Sequence, residues 1–201
     1  MDKVLIWDAP VRIGHWLLVG AFALAWVTSE SESLRLVHAA AGGAVIGVIL
    51  FRLLWGIIGT HHARFASFVR GPGAALCYLK GLATGRAPHT TGHNPAGAIA
   101  IVALLALGLA TGATGWLIYN DLGGHWVEEL HEGLAQAMLA VALVHVAGVA
   151  IGSLVHRENL VRAMLNGMKR GLPGEAIAGA RPLMAGGLFV WAMVCGWWLA
   201  V

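Results

Sequence analysis

Long apolar runs with few or no charged residues alternate with shorter polar segments along the chain. They extend from Ile13 to about Thr28, Leu36 to about Gly59, Ala96 to Ile118, Gly133 to Val155 and Pro182 to Val201. A helix crosses the hydrocarbon core of a bilayer with about 20 residues, and about 17–25 are tolerated. The runs approach or meet that length, so the pattern predicts five spanning helices. None alternates polar and apolar residues as the strands of a membrane barrel do. The connector from His61 to Pro95 is long, and Ala74 to Leu79 within it predicts a short helix on the membrane surface.

Composition narrows the class. Charged residues are 11% of the 201 residues and hydrophobic ones 58%, with mean hydropathy +0.74. A soluble domain carries about 25% charged residues. A soluble enzyme, a nucleic-acid-binding protein and a disordered chain are all excluded on this ground. The expected architecture is an all-α transmembrane helix bundle forming one domain over 1–201. Lys3 and Arg12 before the first run, with Ala23-Leu24-Ala25 inside it, also suit a signal peptide. His15, Trp16 and Trp26 favour a retained helix.

Charge then sets an orientation. Twelve of the 13 basic residues fall on the side of the N-terminus or, like Arg52, near that end of a span. Arg35 alone falls on the other side, with Glu30, Glu32, Asp121, Glu128 and Glu129. Cytoplasmic loops are enriched in Lys and Arg. The N-terminus is therefore expected in the cytoplasm and, after five passes, the C-terminus outside. Trp55 at an inner end, and Trp26, Trp116, Trp126, Trp197 and Trp198 at outer ends, suit interfacial belts.

The chain has 10 histidines beside 13 basic and 10 acidic residues. His15, His38, His131 and His145 fall within or at the ends of the apolar runs, where an ionisable group is costly and marks a function. His131 and His145 are 14 residues apart, so a helix places them on one face about 21 Å apart along its axis. Depth pairs His38 with His131 towards the outside and His15 with His145 towards the inside. Two opposed imidazoles on different helices suit a haem iron with two axial histidines. Gly14, Ala41, Gly42, Gly43 and Gly148 near these histidines would admit a flat porphyrin, or would simply let helices pack closely. Arg52 either snorkels to the inner interface or pairs with a haem propionate or a quinone headgroup. Cys77 and Cys195 form no CxxC or CxxCH, so covalent c-type haem is not expected. His61, His62, His89, His93, His125 and His156 fall in loops or at helix ends and receive no role.

These residues carry a resemblance. Trp7-Asp8-Ala9-Pro10-Val11-Arg12 followed by His15-Trp16, His38-Ala39-Ala40-Ala41-Gly42, Arg52-Leu53-Leu54-Trp55-Gly56, Gly92-His93-Asn94-Pro95-Ala96-Gly97, Leu130-His131-Glu132 and the later His145 are similar to the prokaryotic cytochrome b561 family. That family groups with the b-type cytochrome subunits of membrane nickel–iron hydrogenases. The resemblance covers about residues 4–170. It implies four core helices around two b haems, with His15, His38, His131 and His145 as iron ligands and no ligand from the third core helix. The helix over 182–201 is an addition to that core.

The resemblance further implies electron transfer across the bacterial inner membrane. The electrons would pass between quinone and a periplasmic partner such as a c-type cytochrome, or a hydrogenase of which this chain is the membrane anchor. A homodimer is compatible with it. The rival class, drawn from the residues alone, is a transporter or proton channel in which membrane histidines relay protons.

Overall fold

The computed structural model describes residues 2–200. Strand β1 (Asp2–Leu5) leads into helix α1 (Ala9–Thr28), and α2 (Arg35–Ile58) returns antiparallel to it. Two short helices follow, α3 (Phe65–Phe68) and α4 (Pro72–Ala83), then the long helices α5 (Pro95–Tyr119) and α6 (His125–Val155). A short α7 (Leu160–Asn166), strand β2 (Met168–Gly171) and α8 (Pro182–Trp198) complete the chain.

Four helices are long and apolar enough to cross a membrane: α1, α2 with its preceding turn, α5 and α6. They correspond to the first four expected spans. Helix α8 is apolar but shorter, at 17 residues, and Val201 at the expected end of the fifth span lies outside the described residues. The surface helix expected at Ala74–Leu79 is present within the longer α4.

Local signals explain the helix starts. Asp8 caps α1, its side chain accepting the Val11 amide, and Pro10 sits in the first turn. That pairing of cap and proline is a strong start signal, and it begins the helix at Ala9 rather than at the first apolar residue, Ile13. Asn94 does the same for α5, with Pro95 following. Helix α6 begins at His125, eight residues before the expected Gly133. Glu128, Glu129 and Glu132 are poor membrane residues but good helix formers, and Gln136 donates to Glu132 one turn away at 2.8 Å.

Helices α5 and α6 pack on each other, while α1, α2 and α8 form a second group, joined to the first chiefly through α2 and α5. The α2–α8 contact is a small-residue seam. A Cβ on Gly43 would stand 2.6 Å from the Cys195 carbonyl, and one on Gly47 2.8 Å from the Cys195 Cβ. Such seams let helices approach where lipid offers no hydrophobic drive. The Trp191 indole adds a hydrogen bond to the Gly47 carbonyl at 2.9 Å.

At the end of the bundle that carries the N-terminus, the extramembrane segments form a polar layer that the hydropathy pattern does not predict. Strand β1 pairs antiparallel with β2, in the register Asp2 with Gly171 through Leu5 with Met168. Ile6, Trp7, Val11, Trp55, Ala63 and Ala163 pack into one buried cluster behind it.

Candidate functional site

The structure brings His38 and His131 together. Their ring centroids lie 6.2 Å apart. His38 Nδ1 donates to the Ala25 carbonyl on α1 at 2.8 Å. His131 Nδ1 donates to the Thr111 carbonyl on α5 at 2.9 Å, with the Thr114 hydroxyl 3.1 Å away. A carbonyl oxygen only accepts, so both Nδ1 atoms carry the proton and both Nε2 atoms keep a free lone pair. Tying one ring nitrogen to a carbonyl is how metal-binding histidines are oriented and tautomer-fixed. With imidazole–metal bonds of about 2.0–2.1 Å, two axial imidazoles on one iron would have centroids roughly 6 Å apart. The residues present therefore fit a bis-histidine haem at this level.

The second pair is looser. His15 and His145 lie within reach of each other's charge, although no ring contact joins them among the described residues. His15 packs edge-on against Trp16, with centroids 5.1 Å apart, and its Nδ1 is buried without a partner. No group of three or more His, Cys, Asp and Glu side chains is arranged to hold a bare metal ion among the described residues. A haem iron, which needs only two protein ligands, is not subject to that requirement.

Arg52 sits on α2 as far beyond His38 as His145 sits beyond His131 on α6, 14 residues in each case. It thus faces the same way as His38 about 21 Å deeper, at the level of His15 and His145. Its guanidinium lies over the rings of Phe65 and Phe68, 4.8 and 5.9 Å from their centroids. Nη1 is buried without a hydrogen-bond partner.

The glycines divide between the two roles considered for them. Gly14 serves packing, because a Cβ there would meet Leu188 at 3.1 Å, and Gly43 is filled by α8. Ala41 is buried. A Cβ added at Gly42 or Gly148 would meet nothing within 4 Å, so these two leave room beside the histidines.

Some neighbours of the site have no signal in the sequence. Ala25, Thr111 and Thr114, which orient the outer histidines, have no distinguishing residue type. His93 lies in the Gly92–Gly97 segment that carries the resemblance, but the sequence assigns it no role. Its ring lies 4.4 Å from both Trp7 and Phe68, and its Nδ1 is buried without a partner. Burial, then the nearby Arg52 charge, holds its pKa well below the ordinary histidine range, so the ring is neutral. Further out, Glu158 pairs with Lys169 at 3.7 Å and accepts the Arg170 amide at 2.7 Å. His89 lies 3.4 Å from the same carboxylate.

The sequence profile of the prokaryotic cytochrome b561 family matches residues 6–167. The chain belongs to that family. Membership makes it a b-type cytochrome of the membrane that takes part in electron transfer, and implies haem b as its cofactor. The cytochrome is 25% identical to a probable Ni/Fe-hydrogenase B-type cytochrome subunit of Azotobacter chroococcum mcd 1, over 83% of this chain and 88% of that one. The corresponding protein of Bradyrhizobium diazoefficiens is 24% identical over 83% and 86%. The probable Ni/Fe-hydrogenase 1 B-type cytochrome subunit of Escherichia coli K12 is 26% identical over 58% and 60%. No solved structure matches the chain.

Proposed function

We propose that this cytochrome holds two haems b per chain, one between His38 and His131 and one between His15 and His145, and passes electrons between the two faces of the bacterial inner membrane. The observation that carries the reading is the outer pair: two imidazoles 6.2 Å apart, each with Nδ1 tied to a carbonyl. A relay of protons between histidines would need ring nitrogens free to exchange them, so the fixed tautomers favour ligation. Haem b supplies a one-electron Fe(II)/Fe(III) couple whose potential follows ligands, hydrogen bonds and burial.

The chain's own residues then have defined tasks. Ala25 and Thr111 orient the outer ligands through their carbonyls. Helix α6 supplies one ligand at each level and so fixes the separation between them at about 21 Å. Arg52 supplies a cation at the inner level. Residues 1–201 act as one domain, with the haem-holding core over about 4–170 and α8 braced against it as a fifth pass.

The basic layer faces the cytoplasm and the C-terminus lies outside, in keeping with the distribution of Lys and Arg. Quinone or quinol is the membrane partner, and a periplasmic c-type cytochrome or similar redox protein the partner at the outer face. A second reading is favoured by the relatives' names: the chain would be the membrane anchor of a nickel–iron hydrogenase, and the outer partner that enzyme. Co-purification of a hydrogenase, with haem reduction under hydrogen, would select it.

The deciding measurement is haem content. Purified protein should yield two haems per chain, both extracted by acid–acetone because no CxxCH holds them. A spectrum without haem bands, or haem that resists extraction, would sink the reading. Reduction by a short-chain quinol tests the membrane partner. A periplasm-active reporter fused after Val201 tests the topology.

A further inference from the structure

Two side-chain nitrogens at the basic end of the bundle, Arg52 Nη1 and His93 Nδ1, are buried with no hydrogen-bond partner. Both side chains rest on the Phe68 ring, His93 at 4.4 Å and the Arg52 guanidinium at 5.9 Å from its centroid. The His93 ring also packs on Trp7, with centroids 4.4 Å apart. Buried polar groups are almost always satisfied, and an unpaired charge-bearing donor is the costliest exception.

Among the described residues, the acidic side chains at this end are engaged elsewhere or lie at the surface. Asp8 is close enough to Arg52 for their charges to interact, but its oxygens already take the Val11 amide, the Trp55 indole and the Thr60 hydroxyl. Glu158 is engaged by Lys169 and the Arg170 amide. Glu175 is engaged by the Leu172 amide and Thr91. The remaining acidic residue at this end, Asp2, lies on the exposed face of β1. A bound carboxylate would satisfy both, since it accepts from an arginine fork and from an imidazole whose proton sits on Nδ1. The 14-residue offsets on α2 and α6 put Arg52 at the depth of His145, and His93 lies within reach of the charges of both.

We propose that Arg52 and His93 together hold a propionate carboxylate of the haem at the His15/His145 level, with His93 a positioning residue for that haem. The proposal rests on the two-haem reading. It gives a task to His93, for which neither spacing nor hydropathy suggests one.

The test uses full-length holoprotein carrying haem labelled with carbon-13 at its propionate carboxyl carbons. Redox-difference infrared spectra and spectroelectrochemical titrations are compared for wild type, Arg52→Gln, His93→Leu and His93→Gln. In wild type, the component missing from His15→Ala protein is assigned to the inner level. In His93→Leu and Arg52→Gln, the labelled carboxylate band of that component should shift. Its midpoint potential should fall, because an unscreened carboxylate favours Fe(III), while the other component stays unmoved. His93→Gln keeps a donor and should restore most of both readouts. If His93→Leu protein does not accumulate, Arg52→Gln and His93→Gln carry the same comparison. Two haems with an unmoved labelled band and unmoved potentials overturn this proposal alone. A shift in an unlabelled carboxylate band instead also overturns it, since the bound carboxylate is then not the haem's. A single haem in wild type, retained when His15 or His145 is replaced, overturns the two-level reading and this proposal with it.

Discussion

Asp8 and Trp55 stand 47 residues apart in the chain, yet the Asp8 carboxylate accepts the Trp55 indole N–H at 2.9 Å. The same side chain caps α1 and takes the Thr60 hydroxyl at 2.7 Å. One fully buried carboxylate thus fixes where α1 starts and how the end of α2 is seated against it. Loss of an N-cap costs about 0.5–2 kcal/mol, and leaving a buried donor unpaired costs about 1–3 kcal/mol. Asp8→Ala should therefore destabilise the protein by roughly 2–4 kcal/mol, read from unfolding in detergent micelles. Asp8→Asn keeps a cap and an acceptor, so its loss should be clearly smaller. Equal losses would show that charge, and not hydrogen bonding, is what the site requires.

The pairing of histidines is separable by spectrum. Replacing His38 or His131 by Ala should remove or convert one haem component, and replacing His15 or His145 should affect the other. Loss of an axial imidazole leaves five-coordinate iron or no haem, and both are visible in the reduced spectrum. If His15 and His38 variants lost the same component, the cross-helix pairing would be wrong.

The glycines of α2 and α6 should respond in opposite directions. A side chain at Gly47 must displace the Cys195 Cβ, and overpacking a tight contact costs about 1–3 kcal/mol. Gly47→Leu should lower thermal stability and release α8, seen as changed Trp191 fluorescence once its bond to the Gly47 carbonyl is lost. Gly133 has open space around it, so Gly133→Ala should be neutral or gain up to about 1 kcal/mol from helix propensity.

Acid should loosen the polar layer first. Burial lowers the pKa of His62 and of His156, with a partial opposing pull on His62 from the Glu175 carbonyl. A histidine with a lowered folded pKa contributes stability above the ordinary value of 6.5 and loses it as pH falls below that value. Burial alone would raise the Glu158 pKa, but the Arg170 amide and the Lys169 charge outweigh it and hold it down. That carboxylate adds stability above about 4.5, the unfolded value, and loses it as pH falls through the folded pKa. The histidine and carboxylate contributions point the same way. Hydrogen exchange of the β1 and β2 amides, corrected for intrinsic rates, should quicken from pH 7.5 to 5.5, while the loop between α5 and α6 stays unchanged. His62→Gln should reduce the change.

The first four spans are legible in the sequence because they rest on a property that needs no partner, the absence of charge, and the cost of an ionisable group in a membrane singles out His15, His38, His131 and His145 as candidates. The juxtaposition of His38 with His131 is legible as well, because charge distribution and helix spacing together assign each histidine a depth. What escapes depends on partners distant in sequence. Residues Asp2–Leu5 are too few to read as a strand until Met168–Gly171 lies beside them. Gly14 and Gly42 look alike in the sequence, and only the arrival of Leu188 on α8 makes the first a packing glycine. Hydropathy places the start of α6 too late because it discounts Glu128, Glu129 and Glu132, although they continue a helix beyond the apolar stretch. His93 lies in a segment that carries the family resemblance, yet the sequence gives it no task, because its isolation from acceptors shows only when the nearby carboxylates are accounted for.

The pairing of β1 with β2 also sets a timetable for the molecule. Asp2 is made long before its partner Gly171, which follows only after four long helices. At about 5–20 residues per second, the first strand waits roughly ten seconds to half a minute for its mate. Through that interval it presents an unpaired edge that a chaperone or a neighbouring chain could occupy. The layer holding Asp8, His62 and His93 therefore closes only once α1, α2, α5 and α6 have been made.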